Sequence, residues 1–183
     1  KSIKKTGITG ICGSGIIEVI AEMYLAGIIN TDGVINGNLA KKFSRIIKDG
    51  RTYSYILYRD QNMIQITQND VRAIQLAKAA LYAGIKLLME HMNINNVDRI
   101  RLAGAFGSHI DVKYAMIIGL IPDCNLDNVS SAGNAAGTGA RITLLNHKKR
   151  KEIEDIVKKV EKIETAVEQK FQEHFVNAMA FPH

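Results

Sequence analysis

Apolar residues at Ile74, Ala77, Leu81, Ile85, Leu88 and Met92 step along the chain by three or four. That spacing predicts a long amphipathic helix with one core-facing stripe. Thr67-x-x-Asp70 just ahead of it has the form of a capping box. An earlier helix is predicted over about Ser14–Leu25 from Ile16, Ile17, Val19, Ile20, Met23 and Tyr24, with Gly27 placed to end it. Between the two helices lies an Asn, Gly and Asp rich loop from Asn30 to Asn38. Three short runs follow, Phe43–Lys48, Tyr53–Tyr58 and Met63–Thr67, split by turns at Asp49-Gly50 and Arg59–Asn62. They predict an antiparallel meander.

The second half changes pattern. Arg99 to Ala103 alternates charged and apolar residues as a half-buried strand does, then runs into the almost bare stretch Gly104-Ala105-Phe106-Gly107. A short helix near Val112–Ile118, a turn at Pro122, a brief strand at Val129–Ser131 and a small-residue helix within Gly133–Asn146 are expected next. Ile153, Ile156, Val160, Ile163, Val167, Phe171 and Phe175 predict one last helix over about Lys151–Ala178. Alternating strands and helices point to an α/β layer. Residues 1–6 are basic, unpatterned and expected to fray. The chain reads as one domain, 1–183, with an antiparallel insertion at 39–67.

With 183 residues, 46% apolar and 23% charged, this is an ordinary globular composition. No apolar run is long enough to span a bilayer, and a chain that starts at Lys1 reads as a piece of a longer protein. The net charge of +6 is mild, and part of it sits in Lys148-Lys149-Arg150-Lys151, read as a solvated helix end. Aromatics are not interleaved with the basic residues, which argues against nucleic acid. Cys12 and Cys124 stand far apart and form no C-x-x-C, so no zinc or iron–sulfur site is expected within the chain, and a reducing cytoplasm is the default. The five histidines, His91, His109, His147, His174 and His183, lack ligand spacing. Asp111 and Asp123 read as caps rather than catalytic acids.

Three glycine-rich stretches compete as ligand cradles. Gly13-Ser14-Gly15 opens a helix, whose free amides and dipole favour phosphate oxygens; the alternative is a plain helix start capped by Ser14. Cys12 beside it would have a lowered thiol pKa if exposed, though a small buried residue is the commoner role. Leu102–Gly107 either lets a ligand approach the backbone or packs a helix tightly on the sheet. Gly133–Ala140 reads as a helix whose Ala135, Ala136, Gly137 and Ala140 lie close to the sheet. None is a P-loop or a dinucleotide fingerprint.

Leu102–Gly107 resembles the adenosine motif of the actin, sugar-kinase and heat-shock-chaperone ATPase superfamily, apolar, small, Gly, Gly or Ala, any, small. Gly13-Ser14-Gly15 is similar to the glycine turn near the phosphates in 2-hydroxyacyl-CoA dehydratase activases. The phrases GICGSGIIEVIAEMYLAGII, ITQNDVRAIQLAKAALYAGIKLL, RLAGAFGSHID, GLIPD, GNAAGTGA and FVNAMAFPH together resemble the C-terminal part of the reductive activators of corrinoid proteins. The resemblance implies one lobe of an actin-like, ribonuclease H-like ATPase fold, with a mixed sheet flanked by helices. It also implies ATP with Mg, and a partner corrinoid protein of a methyltransferase system, which such activators return from Co(II) to Co(I). On this basis Gly13, Ser14, Gly15, Ala103, Gly104, Ala105, Phe106 and Gly107 are the candidate nucleotide-binding residues.

The chain departs from the family pattern in having no cysteine cluster and no Asp-x-Gly-Thr. The iron–sulfur domain, its electron donor and the phosphate-gripping lobe are therefore expected outside it. Two other readings remain: a docking lobe that has lost nucleotide, and a lobe of a sugar- or acyl-kinase-like phosphotransferase. A homodimer is left open.

Overall fold

The computed structural model describes residues 7–60, 62–165 and 167–182. The frayed start expected at residues 1–6, and His183, lie outside them. Helix α1 (Gly13–Leu25) ends as its sequence predicts: Gly27 takes φ +67°, and the amides of Gly27 and Ile28 reach back to the carbonyls of Tyr24 and Met23. The chain then makes an isolated bridge, Ile29 to Ile35, and a 3-10 turn at Gly37–Lys41. Strands β1 (Ile46–Asp49), β2 (Thr52–Arg59) and β3 (Met63–Ile66) form the expected antiparallel meander, with Ile46 opposite Tyr55 and Tyr55 opposite Ile66.

Helix α2 (Gln68–His91) starts on a full capping box. Thr67 accepts from the Asp70 amide through Oγ1, and the Asp70 carboxylate accepts from the Thr67 amide at 2.8 Å. Thr67→Ala is expected to cost about 1 kcal/mol, read as a fall in the urea midpoint at unchanged slope.

Strand β4 (Ile100–Ala103) passes straight into the single turn α3 (Gly104–Gly107), followed by α4 (Val112–Ile117), capped by Asp111 as expected. Strand β5 (Val129–Gly133) pairs parallel with β4, and α5 (Ala135–Leu145), α6 (His147–Val157) and α7 (Gln169–Asn177) complete the chain. The α/β architecture is as expected, with the antiparallel and parallel pairings in separate sheets of three and two strands.

One core joins α1, the meander, the start of α2 and the α4 region, through Ile17, Ile20, Ile46, Ile66, Val71, Ile118 and Phe181. A smaller one, Ala79, Tyr82 and Ala178, seats α7 on α2. Glu90 on α2 meets Lys170 and His174 of α7, each at 3.1 Å, and above all the hydrogen bond from the Lys170 ammonium holds its carboxyl below the usual range.

Three expectations fail here. The buried face of α2 is not the stripe read from apolar spacing: Leu81, Leu88 and Met92 are 47%, 52% and 68% exposed, while Gln75 and Lys78 are inside. The polar pair is drawn in by the backbone of the chain's end, which apolar periodicity does not register. The single helix expected over Lys151–Ala178 is two, with irregular chain between α6 and α7. Val160 and Val167 in that gap are 69% and 81% exposed, so no packing repays helix formation there. Finally, Ala135, Ala136, Gly137 and Ala140 of α5 face outward rather than onto the sheet.

Candidate functional site

The sharp turn from β4 into α3 organises the site. Gly104 sits at φ +91°, a conformation that glycine tolerates and side chains resist. A Cβ placed on it would meet nothing within 4 Å, so this backbone faces open space. Gly107 has the opposite role: a Cβ there would lie 2.9 Å from Cβ of Leu102, so α3 is folded tight against its own strand. The backbone of this stretch is thus open at Gly104 and packed at Gly107. Ala105 and Phe106 are exposed, Phe106 by half.

Phe106 reaches the first glycine stretch. A Cβ on Gly13 would lie 3.7 Å from Cε2 of the Phe106 ring, ordinary contact across the start of α1. Ser14 does not cap that helix: the N-cap residue is Cys12, without a side-chain capping bond, and the Ser14 hydroxyl lies 3.4 Å from the Cys12 sulfur. Cys12 is exposed rather than buried, and its thiol is held below its ordinary pKa by the Ser14 hydroxyl and then by the Gly15 amide. Gly15 itself is crowded, since a Cβ would fall 3.1 Å from Ile11 and 3.3 Å from the Cys12 sulfur.

The third stretch joins through the parallel pairing, which sets Gly133 opposite Ala103 after a bulge. Two serines that sequence reasoning passed over lock this junction. Ser108 donates to the Gly104 carbonyl at 2.9 Å, and the hydroxyls of Ser131 and Ser108 lie 3.1 Å apart. Ser131 Oγ accepts from the Gly133 amide at 3.1 Å. The only signal available in sequence was a small polar residue next to each glycine run. Asn134 then caps α5 by accepting from the Gly137 amide at 2.9 Å. Phe106 thus joins the Ala103–Gly107 turn to Gly13 at one corner, and the strand pairing sets Gly133 beside Ala103; Ser14 and Gly15 follow Gly13 into α1, turned to Cys12 and Ile11.

Among the described residues no group of three or more His, Cys, Asp or Glu could hold a metal, and neither cysteine lies in a cluster. The corner offers bare backbone and an aromatic ring. It suits the flat, uncharged part of a ligand better than a metal-bound polyphosphate. The basic run starts α6, where Arg150 donates to the carbonyls of Thr143 and Leu144 at the end of α5 and Lys149 meets Glu152. No helix of the described residues is long and apolar enough to cross a membrane.

The match to a family model and the likeness to a solved structure place this chain in the actin-like class of α/β domains, the ASKHA fold. More narrowly, it belongs to the family described as the C-terminal domain of RACo, the ASKHA domain, whose model matches residues 1–183. It is 38% identical over 186 residues to the corrinoid activation enzyme RamQ of Eubacterium limosum, covering 95% of this chain and 31% of that protein. It is also similar to a solved structure, the reductive activator for corrinoid, iron-sulfur protein, at 34% identity and a TM-score of 0.83, over 95% of this chain and 28% of that one. The chain thus spans about a third of the length of the relatives it matches.

Proposed function

We propose that this chain is the C-terminal lobe of an ATP-dependent reductive activase that returns a corrinoid protein from Co(II) to Co(I). The observation that carries the reading is the open corner at Gly104, with Phe106 laid against Gly13. There the adenosine side of ATP would lie on the backbone of Ala103–Gly107, and the amides at the start of α1, Gly13 to Gly15, would face the phosphates. When bound with Mg, ATP supplies the free energy of hydrolysis, and the corrinoid is the substrate. One electron added to Co(II) gives Co(I), and a low-potential donor would supply it, with an iron–sulfur centre outside this chain as the relay that the family resemblance implies. Cys12 and Cys124 supply too few ligands, too far apart in sequence, for such a centre.

Coupling needs two states that bind ATP and the corrinoid protein differently, since a ligand of equal affinity for both shifts nothing. A cleft closed from two lobes gives such states. A docking lobe that has lost nucleotide would have this corner blocked by side chains, and the open space at Gly104 speaks against it. A phosphotransferase needs an acidic base, and neither Gly13–Gly15 nor Ala103–Gly107 contains an Asp or Glu.

The test uses the longer protein with its corrinoid partner and a one-electron reductant. The Co(I) absorbance band is expected to grow with ATP and to stay near baseline without it. Equal Co(I) in both cases would remove ATP from the mechanism. The isolated chain is expected to bind ATP weakly, and tight binding by it alone would refute a site divided between two lobes.

A further inference from the structure

A concave polar surface lies away from the glycine corner and shares no residue with Gly13–Gly15 or Ala103–Gly107. It is a cavity of about 510 Å³ between the turn joining β1 to β2, the 3-10 turn and the first turns of α2. Arg51 from the turn and Arg72 from α2 both line it, together with Asn38, Tyr53 and Asn69. No Asp or Glu lines it. Of the nearby carboxylates, Asp70 caps α2 through Thr67 and Asp49 accepts from Ser54 at 2.6 Å, while Asp32 lines a separate adjoining cavity that Arg72 also borders. Among the described residues neither arginine has an ion-pair partner.

The walls are built rather than casual. Gln68 donates to the Gly33 carbonyl at 2.7 Å and accepts from the Ile35 amide at 3.0 Å, tying the loop to α2. Gly37 presses its bare backbone on the Tyr53 ring, where a Cβ would fall 2.1 Å from Cε2. Two arginines without an ion-pair partner among the described residues, each guanidinium able to grip a carboxylate or phosphate with paired N–H donors, line a cavity of small-ligand size beside the first turns of α2.

We propose that this cavity is a second, anion-binding site that takes a small molecule bearing phosphate or carboxylate groups through Arg51 and Arg72. It is separate from the ATP site proposed above and does not depend on it.

The experiment titrates inorganic pyrophosphate and, separately, citrate into the full protein by calorimetry at fixed ionic strength. It compares wild type with the double variant Arg51→Gln, Arg72→Gln. Saturable binding of either probe, weakened tenfold or more in the double variant while its ATP affinity is unchanged, is the expected result. Response to pyrophosphate alone assigns a phosphorylated ligand, and response to citrate alone a polycarboxylate. Both variant side chains are exposed, and an unchanged far-ultraviolet spectrum confirms the fold. The proposal is overturned by absence of saturable binding, by equal affinity in the double variant, or by a variant that loses only its grip on a protein partner.

Discussion

Gly104→Val is expected to lower ATP affinity by a hundredfold or more in the protein that carries both lobes, about 2.7 kcal/mol. Two effects act in the same direction. Valine is a genuine outlier at the φ of +91° found there, so the turn must strain or move, at a cost of order 1–3 kcal/mol. The new side chain also projects into the open space where the flat face of a ligand would rest. Because nothing lies within 4 Å of that Cβ, the domain itself should keep its packing. Gly104→Ala decides the matter if the valine variant folds poorly, with a smaller loss in the same direction. Gly107→Ala provides the contrast: its Cβ would fall 2.9 Å from Leu102, so its damage should appear in unfolding rather than in ATP affinity. Wild-type affinity in Gly104→Val, measured by calorimetry, would place the nucleotide elsewhere.

Local rules carried the sequence reading wherever local chemistry decides. The capping box at Thr67, the glycine stop at Gly27, the Asp111 cap and the meander turn at Gly50 all depend on residues within a few positions of one another. The glycine stretches were legible as candidates for the same reason. Their meeting was not, because the contact of Phe106 with Gly13 and the serine pair Ser108 and Ser131 join positions far apart in sequence. The face of α2 misled for a different reason. Its apolar stripe is real, but Leu81, Leu88 and Met92 remain uncovered among the described residues. The small-residue face of α5 is equally bare. Parallel strands seldom stand without cover on both sides, yet Arg101, Ala103, Ser130 and Ser131 of β4 and β5 are exposed. These surfaces stand bare among the described residues, in a chain that spans about a third of the length of the relatives it matches.

Lys78→Ala is expected to destabilise the domain by several kcal/mol, the largest stability effect of any single substitution proposed for it. Lys78 is fully buried on α2, and its Nζ donates to the carbonyls of Ala180 and Pro182. The ammonium also lies 5.2 Å from the centre of the Phe181 ring, which packs against Tyr24 of α1. Gln75, one turn earlier, donates to the carbonyls of Asp32 and Met179, and Phe181 donates its amide to Thr31 at 2.7 Å. The chain's end is thereby held against α1 and α2, and removing Lys78 takes the donor from the Ala180 and Pro182 carbonyls and leaves a cavity on α2. Burial pulls the Lys78 pKa down from 10.5 to about 8. Below about pH 8 both folded and unfolded chains hold the proton, and the full penalty of a buried charge is present. Between about 8 and 10.5 the unfolded chain binds more protons than the folded one, so stability from this residue rises with pH. The neutral amine keeps two N–H groups, enough for both carbonyls. The rise should be on the order of 3 kcal/mol over that window. Urea unfolding of wild type and Lys78→Met at pH 7, 8.5 and 10 isolates it, since other titrating groups are common to both chains. Parallel pH profiles would mean that no charge is buried beneath the chain's end.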